Sequence, residues 1–311
     1  MRASSFEGKC LNIASALRRI GLGAALWCGA TVALAACPPA GMTKPFLEAL
    51  KTVRWSIADD ARRQALAVEM LDCLASPDPE LRDELGFDAL SHWMRAGQLD
   101  TATLQAIRAS LLVRLRTEPP ETSEFRVPFA ALALAEVARV DRLTPFLSTE
   151  ERAGLVAAAT DFLPAIRDYR GFEPGAGWRH GVAHGADLML QLALNPALND
   201  SQIESILAAI ATQVMPPVEH SYVYGEGERL MAPVFYIGRR DQRSKSDWDL
   251  WFGTLARSRP KADPPTRLSL AAKHNLAQFL YRLHASLKEI GTPEMQARML
   301  PGVTAALKTL D

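Results

Sequence analysis

The stretch Asp100-Thr101-Ala102-Thr103-Leu104-Gln105-Ala106-Ile107-Arg108-Ala109-Ser110-Leu111-Leu112-Val113-Arg114-Leu115-Arg116 decides the fold class. Leu104, Ile107, Leu111, Leu112 and Leu115 return every three or four residues, the period of one helix face. Asp100 stands where a side-chain oxygen can accept a first-turn N–H. The pattern repeats on both sides. Upstream, Asp78-Pro79-Glu80 combines an N-cap with proline at the first helical position and predicts a helix to about Ala96. Downstream, Ser148 and Glu151 form a capping box for a helix to about Asp168. Asn199-Asp200-Ser201 opens another, carrying Ile203, Ile206, Leu207, Ile210 and Val214. Further helices fit residues 58–75, 124–140, 178–194, 228–239, 246–257, 267–290 and 293–310. No run alternates apolar and polar residues with β-branched enrichment, so no sheet is predicted.

The expected fold class is therefore all-α. Helix starts recur at a spacing that gives each pair roughly 40–50 residues, the range of HEAT-type repeats. Short connections make neighbours antiparallel, which predicts a two-layer HEAT-like array of roughly 11–12 helices. Residues 44–258 would form the array and 264–311 a C-terminal helical cap of it. An irregular helical bundle is the alternative.

The 311 residues are 48% hydrophobic, enough for a continuous core, which excludes wholesale disorder. Lys and Arg number 35 and Asp and Glu 35, so the broad basic footprint of nucleic-acid binding is absent and no nucleic-acid partner is expected.

Residues 1–36 read as a signal peptide. Arg2, Lys9, Arg18 and Arg19 precede an uncharged run from Ile20 to Ala36. Leu34-Ala35-Ala36-Cys37 resembles the bacterial lipobox, which makes Cys37 the expected lipidation site and residues 37–43 a lipidated linker. The protein would then sit in the bacterial cell envelope, membrane-anchored by lipid and facing the periplasm. Two alternatives compete: an uncleaved anchor, or ordinary cleavage after Ala33-Leu34-Ala35 that frees Cys37 to pair with Cys73. With lipid on Cys37, Cys73 would be a lone buried thiol.

The most informative segment is Gly177-Trp178-Arg179-His180-Gly181-Val182-Ala183-His184-Gly185-Ala186-Asp187. Read as part of a helix from Trp178, its glycines cost up to ~1 kcal/mol each against alanine, which a close backbone or ligand approach would offset. His180, His184 and Asp187 then fall within about 60° on one face. Two imidazoles and a carboxylate so placed suit a hydrogen-bonded structural network, an organic-ligand or catalytic site, or a divalent metal. Gly181 after His180 rules out the HExxH metalloprotease pattern. Beyond that metal, no cofactor is called for.

Helices starting near Glu124, Trp178 and Glu228 alternate with others and would run parallel in one layer. Their N-termini would gather Arg126, Trp178, His180, His184, Glu226, Glu228 and Arg229 on one rim. In the catalytic reading, a hydrolase or lyase, His184 is base or ligand, Asp187 its orienter, His180 a second base and Glu228 the acid. In the binding reading, Arg170, Trp178, Glu226 and Arg229 contact an unknown protein partner or small molecule. The glycines would floor the pocket, and the loop from Asp168 to Gly175 would be its lid. Gly175-x-Gly177-x-x-x-Gly181 lacks the preceding strand of a dinucleotide fold, and no P-loop or Gly-x-Ser-x-Gly elbow occurs.

These residues carry a resemblance. The chain is similar to an uncharacterised bacterial family, domain of unknown function 2785. Its pattern has Arg-Gly, then Gly-Trp-Ala-His-x-x-Ala-His-Gly-Ala-Asp, then Glu-x-x-Arg-Leu. These correspond to Arg170-Gly171, Gly177 to Asp187, and Glu226 to Leu230, with Asp78 to Asp83 matching an upstream Asp-Pro-Glu-Leu-Arg-Asp. The resemblance covers roughly residues 75–240 and implies an all-helical fold without supplying an activity. Arg179 replaces the family's alanine. The family's Arg-Ser-Phe-Ser aligns with Val127 to Ala130, so its arginine is lost or displaced to Arg126.

Overall fold

A computed structural model describes residues 37–117 and 124–310. The expected signal peptide, residues 1–36, lies outside the described residues. Twelve α-helices occur among the described residues, and the fold is all-α. They are α1 Lys44–Thr52, α2 Asp60–Glu69, α3 Asp88–Arg95, α4 Thr101–Thr117, α5 Arg126–Leu143, α6 Thr149–Ala165, α7 Gly181–Ala193, α8 Asp200–Val214, α9 Glu226–Gly238, α10 Lys245–Arg257, α11 Arg267–Ile290 and α12 Pro293–Leu307.

The predicted caps set many of these starts. Asp100 Oδ1 accepts the Thr103 N–H at 2.7 Å, and Ser148 and Glu151 exchange both bonds of a capping box. Asn199 and Gln202 do the same for α8. All five apolar residues of the α4 stripe are buried. Such side chains contribute roughly 1.5–3 kcal/mol each when fully withdrawn from water.

Alternate helices lie side by side: α5 packs on α7, α7 on α9 and α9 on α11, while α4 packs on α6 and α6 on α8. The first series runs parallel. Phe129 near the start of α5 meets His184 in the first turn of α7, and Asp187 one turn on meets Arg229 in the first turn of α9. Three helix N-termini therefore share one side of the molecule.

Four expectations are corrected. The helix expected from Asp78 to Ala96 opens instead as a π-helical segment, Glu80–Phe87, before α3. There the Gly86 backbone lies so close to Cys73 that a Cβ would approach the Cys73 Cβ to 2.8 Å. The helix expected from Trp178 starts only at Gly181, because His180 adopts a left-handed backbone, φ 51°. A two-stranded hairpin precedes it, pairing Phe172 with Trp178 and Glu173 with Gly177. Strands of two residues are too short for any alternation to register, and Gly175 and Gly177, at φ 82° and 78°, make the reversal sterically cheap.

The fourth correction concerns Cys37. Its Sγ is bonded to that of Cys73, with the Cα atoms 4.9 Å apart, well inside the disulfide range. One sulfur cannot form both a disulfide and a lipid thioether, so the structure replaces the lone thiol expected at Cys73 and holds Cys37 in the alternative pairing. Residues 37–43 are no free tether either: Pro39 is buried, and Cys37 and Met42 pack on the core. Among the described residues, no helix is long and apolar enough to cross a membrane.

Candidate functional site

The site grows from one buried cation. Arg82, in the π-helical segment, has no solvent exposure. Its Nη1 donates to the Ser76 carbonyl at 3.0 Å, its Nη2 to the Ala176 carbonyl at 2.9 Å, and its Nε to Asp83 at 2.7 Å. The guanidinium lies 3.7 Å from the Phe125 ring centroid, and Arg179 covers the same ring at 4.5 Å. Arg179 also holds Glu173 through its Nε at 2.6 Å. The two arginines thus clasp the hairpin to the entrance of α5.

The clasped hairpin presents aromatic rings. Trp178 stacks on His180, centroids 4.7 Å apart, and meets Phe172 at 5.2 Å and Tyr224 edge-on at 5.5 Å. The three aromatic side chains are exposed at 44% for Phe172, 39% for Trp178 and 41% for Tyr224. Gly171 passes so close beneath Tyr224 that a Cβ there would overlap its ring.

Under this cover lie the imidazoles. His180 is 6.0 Å from His184, centroid to centroid, and His184 meets Phe129 edge-on at 5.0 Å. His180 Nε2 is 3.6 Å from Glu226 Oε1, close enough for an ion pair and beyond a hydrogen bond. Glu226 Oε2 accepts the Tyr224 N–H at 2.9 Å. His184 Nδ1 and His180 Nε2 are buried and meet no hydrogen-bond partner among the described residues. Native interiors leave few such atoms unsatisfied.

Burial dominates the electrostatics. It pushes His184 down to about 3, helped by His180, Arg229 and Arg82 and opposed by the Pro128 carbonyl. Burial raises Asp187 against the opposing pull of Arg229. At Glu226 burial also pushes upward, but His180 and the backbone N–H bonds together outweigh it and the carboxyl ends below its ordinary value.

A stability prediction follows from His184. Its folded pKa lies below the unfolded 6.5, so the unfolded chain binds the extra proton between those values. Stability is therefore lost as the pH falls from 6.5 toward about 3, at up to about 1.4 kcal/mol per pH unit. Urea melts at two pH values in this window should show a steeper acid loss for wild type than for His184→Gln. Taking the difference removes the contributions of Asp187 and Glu226; equal slopes would mean that His184 does not carry the effect.

The predicted site residues divide into two groups. Trp178, His180, His184 and Glu226 come together. Asp187 and Arg229 adjoin them as a pair, with Arg229 Nη1 2.7 Å and 2.5 Å from the two carboxylate oxygens. Arg170 lies exposed at the hairpin's base, paired with Asp168 at 2.5 Å, and its carbonyl accepts the His180 N–H. Arg126, half-buried, opens α5. Glu228 does not join the histidines. It faces Arg282 of α11 at 3.8 Å and lines a separate cavity of about 310 Å³ with Tyr222, His274 and Gln278.

The metal triad is not assembled: among the described residues, no three His, Cys, Asp or Glu side chains lie close enough to hold an ion. His180 is off the helix, so helical spacing does not align it, and Asp187 is tied to Arg229. Nor do the glycines floor a pocket. A Cβ on Gly185 would approach Leu163 Cδ1 to 2.9 Å, and one on Gly177 would approach Arg82 Nη2 and Pro79 Cβ to 2.9 Å each. The close approach that compensates these glycines is protein, not ligand.

Sequence reading missed Arg82, Tyr224 and His220. His220 stacks on Tyr169 at 5.5 Å, has a buried, unpartnered Nε2, and is pushed down by burial against the pull of Glu226. The alternation His220, Tyr222, Tyr224 just before Glu226 was the available signal.

The fold and this cluster define an all-helical protein with imidazoles and a carboxylate beneath an aromatic cover, at the N-termini of parallel helices. Over residues 111–285 the chain matches the family described as Protein of unknown function (DUF2785), and it belongs to that family. The upstream Asp78 to Asp83 motif lies outside the matched stretch. Comparison with curated proteins and with solved structures gave no match.

Proposed function

We propose that this protein is exported to the bacterial envelope and binds a small hydroxyl-rich ligand, such as a saccharide, at the aromatic-covered mouth of α7 and α9. One observation carries the reading: two buried imidazole nitrogens that complete no hydrogen bond, His184 Nδ1 and the His180 Nε2 facing Glu226 at 3.6 Å, lie beneath aromatic rings left partly in solvent. A hydroxyl donates and accepts at once, so it can satisfy both nitrogens whichever tautomers they hold. The apolar face of such a ligand suits the Trp178 and Tyr224 rings. The indole stacked on His180 acts as the cover that the ligand displaces. Export is supported by the disulfide, which persists in oxidising compartments, together with the charge and hydropathy pattern of residues 1–36.

The test is a thermal-shift and tryptophan-fluorescence titration with N-acetylglucosamine, its disaccharide and glucose. At least one should raise the melting temperature and change Trp178 emission, with saturation at about 100 Kd adding about 2.7 kcal/mol of stability. Trp178→Ala should abolish both responses. No response to any of these sugars, or a response that survives Trp178→Ala, would refute the proposal.

A catalytic reading is favoured by the His180–Glu226 pair at 3.6 Å, an acid and a base at one site. It differs in one readout: Glu226→Gln would remove turnover of a bound glycoside or ester while leaving binding in place.

A further inference from the structure

A second site lies at the other end of the chain. A cavity of about 410 Å³ runs between α10 and α12, within the ~300–1,000 Å³ typical of ligand pockets. Its walls carry little side chain: Gly253 and Ala256 on α10, Gly302, Ala305 and Ala306 on α12. On α10 Lys245, Asp249, Gly253 and Arg257 recur every four residues, and on α12 Gly302 and Ala306 do so. Each set therefore lies along one helix face, and together they form a trough parallel to the helices.

Charge along the trough is polarised. At the start of α10, Lys245 is neutralised by Asp249. At the far end, Arg257 and Lys261 line the cavity and meet no carboxylate among the described residues; Arg257 donates only to Thr254 Oγ1 at 3.0 Å. A Cβ on Gly253 would lie 3.0 Å from Arg257 Nη1, so glycine is what lets the guanidinium fold over the trough. The position of Arg257 in the last turn of α10 accounts for a cation there through the helix dipole. It does not account for Lys261, which lies beyond the helix, or for the empty space lined by small residues.

We propose that this trough binds a single-chain anionic amphiphile, a medium-chain fatty carboxylate or its like, tail against the glycine and alanine walls and head on Arg257 and Lys261. Narrow apolar walls select an unbranched chain over a bulky ring. Two cations that meet no carboxylate among the described residues, both at one end, select an anion and fix its direction. This site is independent of the aromatic-covered mouth and stands whether or not that mouth binds a sugar.

Isothermal titration of the full mature, oxidised protein with decanoate tests the proposal. Stoichiometric binding is expected, about tenfold or more tighter than for octanoate, because each added methylene contributes about fourfold. Decanol and decyltrimethylammonium should bind at least tenfold more weakly. Arg257→Gln with Lys261→Gln, both exposed positions, should lower decanoate affinity at least tenfold without moving the melting temperature. Ala305→Trp, which fills the trough from an exposed wall, should do the same; if that variant does not fold, the charge variant alone decides. No binding of monomeric decanoate, equal binding of decanol, indifference to the charge variant, or association only with anionic phospholipid vesicles would each overturn the proposal.

Discussion

Arg82→Met will cost about 3–5 kcal/mol of stability, because it strips a fully buried charged donor from two backbone carbonyls and a half-buried carboxylate. For a chain of this size that lowers the melting temperature by roughly 5–9 °C. The side chain is fully buried and donates to two backbone carbonyls and to Asp83. Methionine fills similar volume but donates nothing, which leaves the Ser76 and Ala176 carbonyls unsatisfied and Asp83 without its cation. Arg82→Lys should fall between, since an ammonium keeps the charge but cannot span three acceptors in a planar fork. Asp83→Leu combined with Arg82→Met should recover part of the loss, because it removes the stranded carboxylate. Differential scanning calorimetry of the four proteins checks the order; a loss below about 1 kcal/mol for Arg82→Met would show that Arg82 does not hold the hairpin.

The second large effect belongs to the disulfide. Cys37 and Cys73 enclose a sequence separation of 36 residues. Chain-entropy arguments give such a loop about 4 kcal/mol, within a usual range of roughly 2–5. Cys37→Ser, Cys73→Ser and reduced wild type should therefore melt at similar temperatures, all well below oxidised wild type. Because Cys10 and Cys28 precede residue 37, a chain cleaved before Cys37, as the export proposal requires, should show no free thiol, and its intact mass should carry no acyl groups. A diacylglyceryl adduct on Cys37, or a Cys37→Ser melt equal to wild type, would contradict the covalent link.

These two residues also mark where sequence reading succeeds and where it stops. Capped, strongly periodic helices were legible, because an N-cap and an apolar stripe are local properties: Asp100 and the α4 leucines sit as expected. The Cys37–Cys73 pairing stands only as an alternative in the sequence, because a lipobox is a local pattern while the disulfide partner lies far along the chain. The His-Gly motif was found, but its start was displaced. Periodicity cannot register a reversal of chain direction between two-residue strands, nor His180 in a left-handed conformation, which for a non-glycine residue is sterically costly. Glu226 and Glu228 were indistinguishable as acids at a helix N-terminus. Two residues of helix turn a side chain by about 200°, so one carboxylate faces His180 and the other faces α11. Only the packing of α9 decides which.

The hairpin's dependence on Arg82 has a consequence for anyone wishing to transplant this motif. The eleven residues from Gly177 to Asp187 look self-contained on paper. Yet the hairpin they end is clipped from upstream, and the acid that meets their histidine arrives from downstream. A peptide or graft bearing the motif alone would be a key cut without its lock plate. The smallest unit able to inherit the trait is a contiguous segment reaching from before Ser76 to beyond Arg229.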